Sequence, residues 1–78
     1  MYFVYSLEST DGKHWYVGIT DNVDRRLAEH NDGKSIHTNK YKPWKLRSYT
    51  AFMDSHRAEA FERHLKSHSG RSFAKRHL

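Results

Sequence analysis

The sequence predicts an α+β fold, a small three-stranded antiparallel sheet flanked by about three helices, and three observations carry that expectation. Two short β-prone runs, Tyr2 to Leu7 and Trp15 to Ile19, are joined by the turn-forming segment Ser9-Thr10-Asp11-Gly12. Two later stretches space their apolar residues at helical intervals, from Val23 to about Asn31 and from Ser55 to about Ser67. The chain has 78 residues, enough for a single domain over residues 1–78 with a small core, because a chain this short buries only about 60% of the surface its unfolded form exposes.

Each element has its own signal. Alternation puts Phe3, Tyr5 and Leu7 on one face of the first strand, and it separates Trp15, Val17 and Ile19 from His14, Tyr16 and Gly18 on the second. Gly18 removes a side chain next to Tyr16 and predicts a close approach there. Thr20, Asp21 or Asn22 can cap the first helix, and Asp32-Gly33 stops it. With Val23 and Leu27 on the buried stripe, Arg26 and His30 fall together at one border of it, whereas Arg25 points away. Residues Lys34 to Lys42 are polar and basic and predict a loop. Pro43 favours an extended entry into a third strand from roughly Leu46 to Phe52. Asp54 or Ser55 caps the second helix, Ser69-Gly70 is expected to break it, and Arg71 to His77 can form a short terminal helix. On the second helix Ala58, Phe61 and Leu65 cluster on one side, which sets Glu62 beside the core and points Glu59 away.

Composition narrows the function classes. The absence of cysteine excludes a disulfide framework and a thiolate metal site. The start of the chain lacks the features of a signal peptide, and no stretch approaches the ~20 apolar residues of a membrane span, so the expectation is a cytoplasmic protein. Fourteen Lys and Arg against nine Asp and Glu give a net charge of +5, which favours a polyanionic partner. His64-x3-His68 has the spacing of a helical zinc pair but lacks a third ligand.

The order Phe3-Val4-Tyr5, Tyr16-Val17-Gly18, Arg26-x3-His30, Lys42-Pro43-Trp44-Lys45-Leu46 and Ala60-Phe61-Glu62-Arg63 resembles the GIY-YIG nuclease superfamily. The likeness is to its small single-domain bacterial members, related to the N-terminal nuclease domain of the repair excinuclease, and it spans nearly the whole chain. It implies a divalent-metal-dependent endonuclease that hydrolyses phosphodiester bonds in DNA, in repair or processing, with Tyr5, Tyr16, Arg26, His30 and Glu62 as catalytic residues.

Those residue types suit that chemistry. Mg²⁺ or Mn²⁺ can bind through one carboxylate plus waters and phosphate oxygens, which makes Glu62 the expected ligand. The Arg26 guanidinium is a planar, permanently charged fork for the scissile phosphate. Tyr16 matches the family tyrosine that activates water, a task for which a phenol of pKa ~10 needs a nearby cation. Tyr5 and His30 would support it. By helix spacing alone, Glu62 is an i,i+4 partner of Lys66, and Arg26 is a partner of Glu29 or Asp24. Arg26, Lys40, Lys42 and Arg71 are the expected nucleic-acid contacts. One departure stands out: relatives carry an asparagine some twelve to fifteen residues after the glutamate, where this chain has Ala74-Lys75-Arg76-His77. The alternative is a nucleic-acid-binding module of the same fold with little or no catalysis.

Overall fold

A computed structural model describes residues 1–78. The apolar first run becomes β1 (Tyr2–Ser9), the central strand of three, flanked on its two edges by β2 (Trp15–Thr20) and β3 (Trp44–Phe52), both antiparallel to it. Its central place explains why Val4, Tyr5, Ser6 and Leu7 are all buried in succession, since both faces of the sheet are covered. The register sets Gly18 opposite Tyr5 on one side and Tyr49 opposite it on the other.

Helix α1 (Val23–Asn31) contributes Leu27 to the face that carries Tyr5, Leu7 and Tyr16, whereas α2 (Ser55–Lys66) and α3 (His68–His77) cover the face that carries Val4 and Val17. Asn22 caps α1 by accepting from Arg25 N, and Asp54 caps α2 by accepting from His56 N. Gly33 follows α1 at φ 77°, a left-handed conformation that ends a helix at little cost to glycine. The apolar core on the α2 side is Val4, Val17, Ala58, Leu65 and Ala74. No helix is long and apolar enough to cross a membrane.

Three expectations change. Strand β3 begins at Trp44 rather than Leu46, because the Asn31 side chain takes up both backbone groups of Trp44, accepting from its N–H and donating to its carbonyl. The segment from Lys34 to Lys42 is more than a solvated loop. Ser35 and Thr38 are buried in it, and Asn39–Tyr41 forms a 3-10 turn.

The break between the last two helices falls at Ser67, whose backbone is extended and whose hydroxyl accepts from Gly70 N at 3.1 Å. Gly70 itself lies inside α3. A Cβ there would sit 1.6 Å from the carbonyl oxygen of His64, so this glycine permits a close approach of α3 to the end of α2 rather than breaking a helix. Because the break comes at Ser67, His64 and His68 lie on different helices, and their i,i+4 zinc-pair spacing is lost.

Candidate active site

Tyr5 and Tyr16 come from neighbouring strands, and the glycine between them lets their rings close. A Cβ on Gly18 would lie 2.6 Å from the Tyr5 hydroxyl and 3.1 Å from the Tyr16 ring, so the two phenols meet over a position that no other residue can occupy undisturbed. Their ring centroids are 6.3 Å apart, and the imidazole of His30 lies 4.9 Å from Tyr16 and 5.8 Å from Tyr5. The Tyr5 hydroxyl and His30 Nε2 are hydrogen-bonded at 2.8 Å.

His30 is not at a border. It is 0% exposed, because the segment after α1 folds back over it and brings the Thr38 hydroxyl to 2.7 Å from Nδ1. Both ring nitrogens of this enclosed residue are committed, one to Tyr5 and one to Thr38. Burial, followed by the Arg26 charge, holds its pKa below the ordinary imidazole value. Thr38 is in turn fixed from behind, its carbonyl accepting the indole N–H of Trp44 at 2.9 Å.

Burial pushes the Tyr5 phenol up to about 12, only partly offset by the Arg26 guanidinium. Tyr5 therefore holds its proton more tightly than an ordinary phenol. Arg26 lies within electrostatic reach of both phenols, and its Nη1 also donates to Glu29 at 3.0 Å. Glu62 stands on the far side of the β2 edge, on α2. Its side chain is 23% exposed and Oε2 accepts from Lys66 at 3.1 Å. Both ion pairs that the helix spacing allows are thus present. Glu62 acts on Tyr5 through its field, contributing to the raised pKa of that phenol, without a hydrogen bond to it.

No three His, Cys, Asp or Glu side chains gather to hold a metal ion by themselves. A half-buried carboxylate with one oxygen uncommitted still suits Mg²⁺, which commonly keeps several waters and takes one or two carboxylates. The donor set fits the metal that the sequence implies.

Beside Tyr16 a groove of about 620 Å³ runs between β2 and α3, lined by basic side chains including Lys13, Lys66, Arg71 and Lys75, with His14 and His68, and by no carboxylate. Of the expected nucleic-acid contacts, Arg71 lines this groove. Lys40 and Lys42 stand outside it, Lys42 donating to Asn39. Tyr41 stacks on His14 at 3.7 Å.

The model of the GIY-YIG catalytic domain matches residues 1–76. The chain belongs to the GIY-YIG family. A UPF0213 protein of Halalkalibacterium halodurans is 38% identical over 71 residues, covering 90% of this chain and 74% of that protein. A UPF0213 protein of Lacticaseibacillus paracasei is 41% identical over 66 residues, covering 83% and 73%. The solution NMR structure of a UPF0213 protein from Bacillus halodurans superposes with a TM-score of 0.55 at 36% identity, over 92% of this chain and 80% of that one. Its fold supports the α+β assignment, and family membership supports an endonuclease-type function on nucleic acid.

Sequence reasoning missed two residues of this GIY-YIG site, Thr38 and Asn31. Thr38 sits in a polar stretch without periodicity. Asn31 directly follows the motif histidine, and its ability to pair with a strand's backbone was the one signal to be had.

Proposed function

We propose that this GIY-YIG domain is a divalent-metal-dependent DNA endonuclease in which Tyr16, as its phenolate, takes the proton of the attacking water and Arg26 steadies the scissile phosphate. The observation that supports it most is the meeting of the two phenols over Gly18, beside Arg26 and within the field of Glu62. Tyr16 is less enclosed than Tyr5 and its strand borders the basic groove, so it is the phenol nearer to water and substrate. Tyr5, held protonated, orients the reacting water or Tyr16 as a hydrogen-bond donor. Arg26 carries the positive charge that offsets charge developing on the phosphate oxygens, and phosphate competes with Glu29 for its guanidinium. Glu62 would hold Mg²⁺ or Mn²⁺, which supplies Lewis-acid stabilisation of the phosphate and leaving oxygens when bound. The groove beside Tyr16 carries the flanking backbone, by charge complementarity.

Incubation of the purified protein with labelled DNA and Mg²⁺ or Mn²⁺ tests this. Cleavage should depend on the metal and be lost in Glu62→Ala and in Arg26→Ala. Equal cutting by either variant and the wild type overturns the assignment. Salt-sensitive binding without metal-stimulated cleavage at any protein concentration identifies the non-catalytic module instead.

A further inference from the structure

Of the seven histidines in the chain, His30 has both ring nitrogens committed, whereas two others line the basic groove beside Tyr16. His14 lies in the connection just before β2, and His68 is the first residue of α3. His14 is held in place. Its backbone N–H donates to Ser9 Oγ at 3.0 Å, its carbonyl accepts from Ser9 N at 3.0 Å, and its ring stacks on Tyr41 at 3.7 Å with 21° between the planes. Neither imidazole makes a hydrogen bond or an ion pair within the protein, so no partner in the chain occupies their ring nitrogens.

What surrounds them is mostly cationic. His14 shares the groove with Lys13 and Lys75, and in the adjoining hollow it faces Arg47 of β3 and Glu8 of β1, the latter paired with Lys45 and Arg47. Tyr41 lies against its ring, and Asp11 of the same turn feels its charge while bonding to Ser9 and Lys13. His68 shares the groove with Lys66 and Arg71, and with Tyr16 of β2; Glu62 of α2 reaches this group through its bond to Lys66 at 3.1 Å. No carboxylate lines the groove itself. An imidazolium there joins Lys13, Lys66, Arg71 and Lys75 as a further like charge, and the anion that balances it within the groove has to come from outside. A phosphodiester backbone is such an anion. Opposite charge within about 4–6 Å favours the protonated imidazole, which then donates from both nitrogens and can bond a phosphate oxygen.

We infer that His14 and His68 are proton-linked contacts of the polyanion: each takes up a proton as a phosphate settles beside it, so binding tightens as pH falls through the imidazole range near ~6.5. The linkage rests on the groove's carrying the backbone, as proposed above, and not on cleavage, so the endonuclease assignment and the proton uptake can fail separately. A complex that holds more protons than its free components gains affinity on acidification, by about tenfold for each unit by which an imidazole's pKa rises on binding.

An oligothymidylate, which has no group that titrates between pH 6 and pH 8, serves as the probe, with EDTA present and ionic strength fixed. Calorimetric titration of the whole chain at pH 7 in two buffers of different ionisation enthalpy should show net proton uptake, and anisotropy should show the association constant rising at least about fivefold from pH 8 to pH 6. His14→Gln and His68→Gln should each lower the uptake and flatten that rise, the double variant should abolish both, and His37→Gln, outside the groove, should change neither. In the wild type the imidazole Cε1–H NMR shifts of His14 and His68 should move toward the protonated form as the probe is added at pH 7, which reads the linkage without any substitution. Buffer-independent heat with a flat affinity overturns the inference, as does uptake that persists in the double variant. If Arg71→Ala binds as tightly as the wild type, the groove reading falls and the inference with it. If Arg71→Ala weakens binding while the wild type takes up no proton, only the inference falls.

Discussion

The two faces of the sheet are packed by opposite rules. Against α2 and α3 the contact is apolar, with Val4, Val17, Ala58, Leu65 and Ala74 closing on one another and the Phe52 and Phe61 rings tilted against each other at 5.5 Å. On the other face, beneath α1, the interior is threaded by Tyr5, His30, Thr38 and Trp44, and each polar group is matched to another. The first face draws its stability from area removed from water, which tolerates modest change. The second depends on completed hydrogen bonds, and a half-satisfied network is worse than an apolar one. A protein this small thus gathers its apolar core mainly on one side of β1 and its buried polar network mainly on the other, with Glu62 on the apolar side.

The sharpest way to break this contrast is to substitute groups that should matter only to chemistry. Glu62→Ala and Arg26→Ala should each lower the rate of metal-dependent cleavage by at least about 10²–10³-fold, while urea unfolding midpoints stay close to the wild type. A large loss of stability in either would show that the site carries structural weight after all. Leu65→Ala is the converse test: Leu65 is 2% exposed, and its truncation should cost about 2–5 kcal/mol of stability, measured by denaturant unfolding.

A finer division concerns the polar face itself. Burial lowers the pKa of His30 from 6.5, so near that pH the unfolded chain binds this proton and the native one does not. The stability that His30 contributes is complete above about 6.5 and is lost as pH falls through its lower native pKa. His30→Gln should therefore flatten the fall in stability between pH 7 and pH 5 relative to the wild type, as measured by urea midpoints. Tyr5, raised from 10.0 to about 12, acts at the other end. Its contribution is complete below 10 and lost as pH rises toward 12, and in an ultraviolet titration Tyr5→Phe should remove a phenol that ionises near 12. The smallest expected effect belongs to the groove. Arg71→Ala or Lys75→Ala should reduce the salt dependence of DNA binding by about one unit of slope each, whereas Lys40→Ala, outside the groove, should leave it nearly unchanged.

What the sequence revealed follows the same division. Elements whose signals are local were legible: the capped starts of both helices, at Asn22 among three candidates and at Asp54 between two, Gly33 as a stop, Glu62 rather than Glu59 beside the core. Pairing at a distance was not. Nothing near Thr38 says that it will meet His30 eight residues away, and a helical wheel cannot show that a following segment will fold over one edge of its stripe, so His30 is read as a border residue and is in fact enclosed. Trp44 is fixed by Asn31 thirteen residues earlier, which lengthens β3 beyond what strand propensity predicts. Gly70 misleads for a related reason. Glycine between polar residues signals a chain break when it arises from local backbone freedom, and the same letter appears when another backbone comes too near for a methyl group.

That contact has a practical side for anyone wishing to make the protein hardier. Replacing a glycine within a helix by alanine ordinarily raises helix propensity by about 1 kcal/mol, and it is among the routine substitutions tried for thermal hardening. At residue 70 the added carbon would strike the main chain of His64 and prise α3 from the end of α2. Since α3 holds Arg71 and Lys75 along the basic groove and α2 holds Glu62, the swap would move the basic wall relative to the carboxylate, trading rigidity in one helix for misalignment between two.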